Sequence, residues 1–316
     1  MYKNGIKISF FLFCFTILIT SVKSQIRDFQ DEKNTLGSLY ELITQSIFKR
    51  YSPGIYEDSM RQHISIDWKE MEILYRRTNY EKEEDNKTAD QISWLVQFHI
   101  PLLAIDTIMG DYKNQTITYK VKGDSAFING EILIPGNKYA PASKDKSLTI
   151  YSGQIMKIRN LVERIQDKIK EFQVYYKKKQ QLVNTLNNYL KKELDLQQKY
   201  PDKYPAHRKF SLIQPFQLDD YNRLSIVINR DSIIEKQSVY LEDVTEIAKD
   251  INIIFLTKGK HVETIQTFAN GTSATTKGNL FFLQLCYEKQ DIATGNKIAE
   301  LFSSIGSKAS RTDWYD

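Results

Sequence analysis

Residues 155–198 read IMKIRNLVERIQDKIKEFQVYYKKKQQLVNTLNNYLKKELDLQQ. Positions 155, 158, 162, 165, 169, 172, 176, 179, 183, 186, 190, 193 and 197 follow the alternating three–four spacing of a heptad seam, and ten of the thirteen are apolar. No Pro or Gly falls between Gly153 and Pro201. The spacing predicts one helix of about 66 Å, at 1.5 Å per residue. A helical hairpin turned at Asn184–Asn188 is the alternative, because asparagine is a mediocre helix former.

The seam that such a helix offers consists of Ile158, Val162, Ile165, Ile169, Phe172, Tyr176, Lys179, Val183, Leu186 and Leu190. Leu161, Tyr175, Leu182, Tyr189 and Leu196 form a second column beside it, broken by Lys168. An apolar face this wide suits a bundle or a globular body better than a lone two-stranded coil. Small flanking lobes offer little area to cover it, so the expected cover is a protein partner or a second copy of the chain. Lys179 on the seam reads as a residue that specifies register or partner number. Lys177, Lys178, Lys179, Lys191 and Lys192 make the helix basic, which allows a peripheral contact with an anionic membrane surface, although a solvated face is the ordinary reading.

Toward the N-terminus, Leu36, Leu39, Ile43 and Ile47 recur at helical spacing, and Asp67 followed by Trp68, Met71, Leu74 and Tyr75 reads as an N-capped second helix. Residues 94–108 suggest a strand bent at Pro101. Thr116–Val121, Ser125–Ile128 and Glu131–Ile134, punctuated by Gly123-Asp124 and Asn129-Gly130, read as a short antiparallel meander with a type I′ turn at Asn-Gly, extended by Leu148–Tyr151. Toward the C-terminus, Tyr200-Pro201 closes the long helix. Leu224–Ile228 and Ile253–Thr257 read as strands, and Val239–Ile251 as a helix carrying Leu241, Val244, Ala248 and Ile251 on one face. Gly271 and Gly278 mark a loop or hairpin tip. The apolar run 280–287 reads as a strand buried on both faces, and Ile298, Leu301, Phe302 and Ile305 as a closing helix.

The expected fold class is therefore α+β: N-terminal helices with a small antiparallel meander, a coiled-coil-like central helix and a small C-terminal α/β unit. The corresponding segments are a leader at 1–24, a lobe at 25–152, the helix at 153–200 and a second lobe at 205–316.

The leader is read from Lys3 and Lys7, the apolar run Ile8–Ile19, and Val22 and Ser24 at the −3 and −1 places of a cleavage site between Ser24 and Gln25. It implies an exported protein that is periplasmic, displayed at the cell surface or secreted. Removing Lys3, Lys7 and Lys23 from the 44 basic residues leaves 41 against 39 acidic ones, or +2 in place of +5. So small a charge argues against general nucleic-acid binding. Cys286 is then the only cysteine, which excludes an internal disulfide, and its apolar neighbours suggest a buried thiol acting as a small hydrophobe.

Asp58-Ser59-Met60, Asp106-Thr107-Ile108, Asp124-Ser125-Ala126 and Asp231-Ser232-Ile233 resemble an O-glycosylation sequon of exported Gram-negative bacterial proteins, which points to a cell envelope. Asn86, Asn114 and Asn270 head N-glycosylation patterns at a frequency that composition alone supplies.

No local catalytic signature stands out. His63, His99, His207 and His261 are scattered, with neither a second His nor a Cys at metal-ligand spacing. His99, in an apolar strand-like run, reads as a hydrogen-bonded structural residue. Gly271–Lys277 only superficially resembles a phosphate loop and leads into a strand, whereas a phosphate loop opens a helix. No dinucleotide fingerprint occurs, so no cofactor is expected.

Two functional readings follow. The first is a non-enzymatic envelope component that acts through its long helix. The second is an exported hydrolase or ligand-binding protein with a site in the C-terminal lobe, near Asn229–Ser232, Thr257–Gly259 and Glu288–Lys289, by analogy with open α/β sheets.

Overall fold

The computed structural model describes residues 29–46, 50–51, 59–82, 90–114, 116–133, 140–151, 159–203, 209–286 and 292–315. The leader with its Ser24–Gln25 junction, Ile47, Ile158, Glu288 and Lys289 lie outside them. The chain divides into two units, Asp28–Gln180 and Gln181–Asp316.

The first unit is mostly strand. It opens with α1 (Phe29–Ser46), followed by β1 (Arg50–Tyr51), β2 (Ser59–Asp67), β3 (Glu72–Lys82), β4 (Asp90–Pro101), β5 (Ile105–Asp111), β6 (Thr116–Val121), β7 (Ile128–Leu133), β8 (Ala140–Asp145) and β9 (Ser147–Tyr151). One sheet runs β1-β2-β3-β4-β7-β8 and a second runs β5-β6-β9, antiparallel throughout. Ile64, Ile73, Tyr75, Val96 and Ile100 alternate onto one buried face of the larger sheet, and α1 packs against β2 with Leu36, Leu39 and Tyr40 buried.

Two readings of this region are corrected. Asp67 does cap a chain reversal, because its Oδ1 accepts from Lys69 N at 2.9 Å and Glu70 N at 3.2 Å. The reversal is a hairpin turn, however, with Met71 at φ 56° returning the chain as β3 in place of a second helix. Asn129-Gly130 lies inside β7 and makes no turn, so β6 pairs with β5 and β9 and the consecutive meander is absent. Gly130 is needed for close approach: a Cβ there would stand 2.5 Å from Ser143 Oγ and 3.0 Å from the Phe98 ring.

Residues 159–199 form one unbroken helix, α2 (Arg159–Lys199), with no hairpin. Its first half belongs to the first unit. There Val162, Ile165, Ile169 and Phe172 are at most 2% exposed, and the Phe172 ring lies 5.8 Å from Trp68. Gln173 Nε2 donates to Leu102 O and Ile105 O, both at 2.9 Å. Gln166 accepts from Ile108 N and donates to Asp106 O.

The second half belongs to the second unit, with Leu182, Leu186 and Leu190 at most 1% exposed. Asn187 donates to Phe216 O at 3.0 Å and accepts from Phe216 N at 2.8 Å, and Gln197 clasps both backbone groups of Phe210 in the same way. The suspected breaker is thus a side chain spent on another strand's backbone. Lys179 is also buried, its ammonium 4.6 Å from the Tyr175 ring centroid, while Tyr176 and Val183 are half-buried.

The second unit continues with β10 (Ser211–Leu218), β11 (Arg223–Arg230), β12 (Ile233–Tyr240), β13 (Val244–Lys249), β14 (Ile253–Thr257), β15 (Val262–Thr267), β16 (Ser273–Gly278), β17 (Leu280–Phe282), α3 (Ile292–Ser304) and β18 (Ser310–Trp314). Sheet β10-β11-β12-β15-β16 is antiparallel. Sheet β17-β14-β13-β18 is antiparallel except for the parallel pair β13–β18. Phe255, Phe281, Phe216 and Phe302 knit the core, the closest pair being Phe255 and Phe302, edge to face at 5.0 Å. Gly295 of α3 admits the Trp314 ring, which a Cβ would meet at 2.6 Å.

The expected helix at 239–251 is instead a turn and β13. A bulge between Val244 and Glu246 shifts the strand's alternation, so Val244, Ile247 and Ala248 are buried at a spacing that imitates a helix. The expected α+β class with a C-terminal α/β unit is therefore overturned. Both units are β-rich, with four sheets and three α-helices among the described residues.

Two outcomes follow for stability. Ile165→Asp and Phe172→Asp bury a charge and are expected to unfold the first unit, whereas Val174→Asp, at a site 56% exposed, stays within about 0.5 kcal/mol in urea denaturation. Asn187→Ala strips both partners from the Phe216 backbone and is expected to cost about 1–3 kcal/mol.

Burial also pushes Tyr75 up from 10.0 to about 12, against the opposing charge of Arg77, and raises Tyr40 and Tyr119 as well. The folded state keeps these protons after the unfolded chain has lost them. Stability is therefore intact below pH 10 and falls as the pH climbs through about 12. Unfolding measured at stepped alkaline pH is expected to show this loss, and Tyr75→Phe to lessen it while Tyr40 and Tyr119 keep the remainder.

Candidate functional site

The register of β11 against β12 places Leu224, Ile226, Ile228 and Arg230 on the same face as Val239, Gln237, Glu235 and Ile233. On the β11 side the row is core as far as Ile228: Leu224 is 0% exposed, and Ile226 and Ile228 1%, with Val239 at 0% opposite Leu224. The β12 side turns polar opposite that row, with Gln237 facing Ile226 and Glu235 facing Ile228, Arg230 ends the row opposite Ile233, and Thr264 and Gln266 of β15 pair with Gln237 and Glu235. A sheet face packed for burial alone would continue with branched apolar residues, so these side chains open a cavity in place of filling a core.

The cavity, about 350 Å³, is lined by Arg230, Glu235, Gln237, Ile251, Asn252, Phe282, Gln284 and Cys286. Its far wall is the chain leaving β17, held by one backbone amide after another. Phe282 N donates to Gln237 Oε1 at 3.1 Å, Leu283 N to Ile253 O at 3.0 Å, Leu285 N to Asn252 Oδ1 at 2.9 Å and Cys286 N to Glu193 Oε1 at 3.0 Å. Within this segment Gln284 adopts φ 59°, a left-handed conformation that a side-chain-bearing residue keeps only where its surroundings enforce it. Its Oε1 accepts from Arg230 Nη2 at 2.7 Å. The wall is thus rigid and preorganised.

These positions correct the reading of 280–287 as one buried strand. β17 stops at Phe282, Leu283 and Leu285 are buried, and Cys286 is a half-buried cysteine, in no disulfide, on the cavity wall. Of the positions suggested by analogy with open α/β sheets, Arg230 within Asn229–Ser232 reaches the cavity. Thr257 instead bonds Gly259 O at the other end of β14. Asp231 and Ser232, at φ 51° and 68°, form the tight β11–β12 turn. Gly271–Lys277 is a hairpin tip entering β16.

The heptad seam gathers no chemistry. Its described members line the inner side of α2, Tyr176 and Val183 half-buried and the others buried by their own chain.

His99 is held on three sides. Arg76 Nε donates to Gln97 Oε1 at 2.5 Å, and Gln97 Nε2 lies 2.8 Å from His99 Nε2. Nδ1 lies 2.7 Å from Glu72 Oε2, and Glu131 Oε2 is 3.5 Å from Nε2. His99 is a knot tying β3, β4 and β7. His261 pairs with Asp243 at 3.2 Å, and His207 lies outside the described residues. Among the described residues no group of His, Cys, Asp and Glu is placed to hold a metal ion.

Compared with protein-family models, curated proteins and solved structures, the chain matches none of them.

The backbone at Gln284 gives a direct check. Gln284→Gly and Gln284→Ala remove the same contact with Arg230, but only glycine accepts φ 59° without cost. The glycine variant is expected to be about 1 kcal/mol more stable than the alanine variant in urea titrations, the reverse of the usual order.

Proposed function

We propose that this chain is an exported binding protein that holds a small charged solute in the cavity of its C-terminal unit. The observation that carries this reading is the change of the core-facing row from Leu224, Ile226 and Ile228 to Arg230, opposite a wall fixed by four backbone hydrogen bonds. Pockets for small molecules run from about 300 to 1,000 Å³ and pair an apolar lining with a few placed polar groups, the pattern that Ile251 and Phe282 make with Arg230, Glu235 and Gln284. Export rests on the leader-like residues 1–24. The long helix enters this reading as a scaffold: its apolar stripe is already covered, and Glu193 anchors the cavity wall through Cys286 N.

Cys286 supplies the test. Its alkylation can be followed by peptide mass spectrometry while charged small solutes (carboxylates, amines and amino acids) are added singly. A solute that fills the cavity is expected to slow Cys286 alkylation and to raise the melting temperature in step, by an amount corresponding to about 2.7 kcal/mol at a hundredfold excess over Kd. Unchanged alkylation and melting across the whole set would overturn the reading.

A further inference from the structure

We infer that the solute is a zwitterion of the free α-amino acid type, its carboxylate held by Arg230 and its ammonium by Glu235. This inference rests on the cavity being a binding site and specifies what it binds. In the β11–β12 register Arg230 faces Ile233 and Glu235 faces Ile228, so the two charged residues are diagonal neighbours on one sheet face. Diagonal neighbours stand about 7–8 Å apart, within reach of long side chains.

They do not pair. Arg230 Nη2 is bound to the neutral amide oxygen of Gln284 at 2.7 Å, and its Nε is buried with no hydrogen-bond partner among the described residues. Glu235 accepts from the neutral Gln266 Nε2 at 3.2 Å. Arg230 thus donates to a neutral acceptor and Glu235 accepts from a neutral donor, and neither meets a countercharge among the described residues. Half-buried charges kept apart in this way carry a desolvation cost that their own mutual attraction does not offset.

A ligand bearing both charges removes that cost at both ends. A guanidinium matches a carboxylate, and a carboxylate of Glu235's kind accepts from an ammonium's three donors. The volume, about 350 Å³, suits a solute the size of one amino acid, and Phe282 and Ile251 give its side chain an apolar wall.

The experiment is calorimetry on the whole protein with three probes: phenylalanine, its methyl ester, which lacks the carboxylate, and N-acetylphenylalanine, which lacks the ammonium. Phenylalanine is expected to bind, and each capped form to bind about tenfold more weakly or worse. Glu235→Gln is expected to erase the preference for phenylalanine over its N-acetyl form, and Arg230→Met the preference over the ester. Arg230→Lys and Glu235→Asp, which keep each charge, serve as folding controls and should retain the order of the three probes. If a capped form binds as tightly as phenylalanine, or a simple carboxylate or amine binds where phenylalanine does not, the zwitterion is wrong while the cavity still binds solutes. If no probe binds and Cys286 is protected by none of the charged solutes, the binding site itself is wrong.

Discussion

A helix of 41 residues with an apolar stripe along its whole length must have that stripe removed from water, and in this protein the chain's own strands do it. In the first unit Val162, Ile165, Ile169 and Phe172 disappear among sheet residues and Trp68. In the second, Leu182, Leu186 and Leu190 are taken up with the phenylalanine-rich core. Apolar burial alone does not fix the helix lengthwise, because a smooth stripe tolerates sliding. The polar clasps supply that fix. Gln166, Gln173 and Asn187 recur at multiples of seven on one flank of the seam, and each bonds strand or turn backbone that no ladder satisfies. At Phe216 the need is visible, since the β10 register is irregular between Gln214 and Gln217 and Asn187 takes both freed groups.

The candidate site follows from the same helix. Glu193, 1% exposed, sits on the seam where an apolar residue would be expected and uses a carboxylate oxygen to hold Cys286 N. With Gln237 and Asn252 it freezes the segment from Phe282 to Cys286, so that Gln284 is held in a left-handed conformation against Arg230. A left-handed residue and two charges without a countercharge among the described residues thus meet on one cavity wall.

The sequence revealed the long helix, its end at Tyr200-Pro201, and the strands at 116–121, 224–228 and 253–257, because periodicity and breakers act locally. It misled where a local signal has two structural meanings. Asp67 caps a turn with the same two amides that would begin a helix, and the bulge after Val244 spaces buried residues three and four apart within a strand. The seam was legible as apolar but not as internal, since coverage depends on strands distant in sequence. The site was nearly invisible. Arg230, Glu235 and Gln237 look like solvent-facing residues until the β11–β12 register places them on the same face as Ile226 and Ile228. One signal was available: Gln166, Gln173 and Asn187, amides in place of charges at heptad intervals beside the seam, mark a flank that faces protein backbone and not water.

The most direct measurement of the central claim is hydrogen exchange along residues 162–190 over a wide dilution series. If the seam is covered by its own chain, the protection of these amides is strong and independent of protein concentration. Protection that fades on dilution would mean that a second molecule covers the stripe, and would contradict the account.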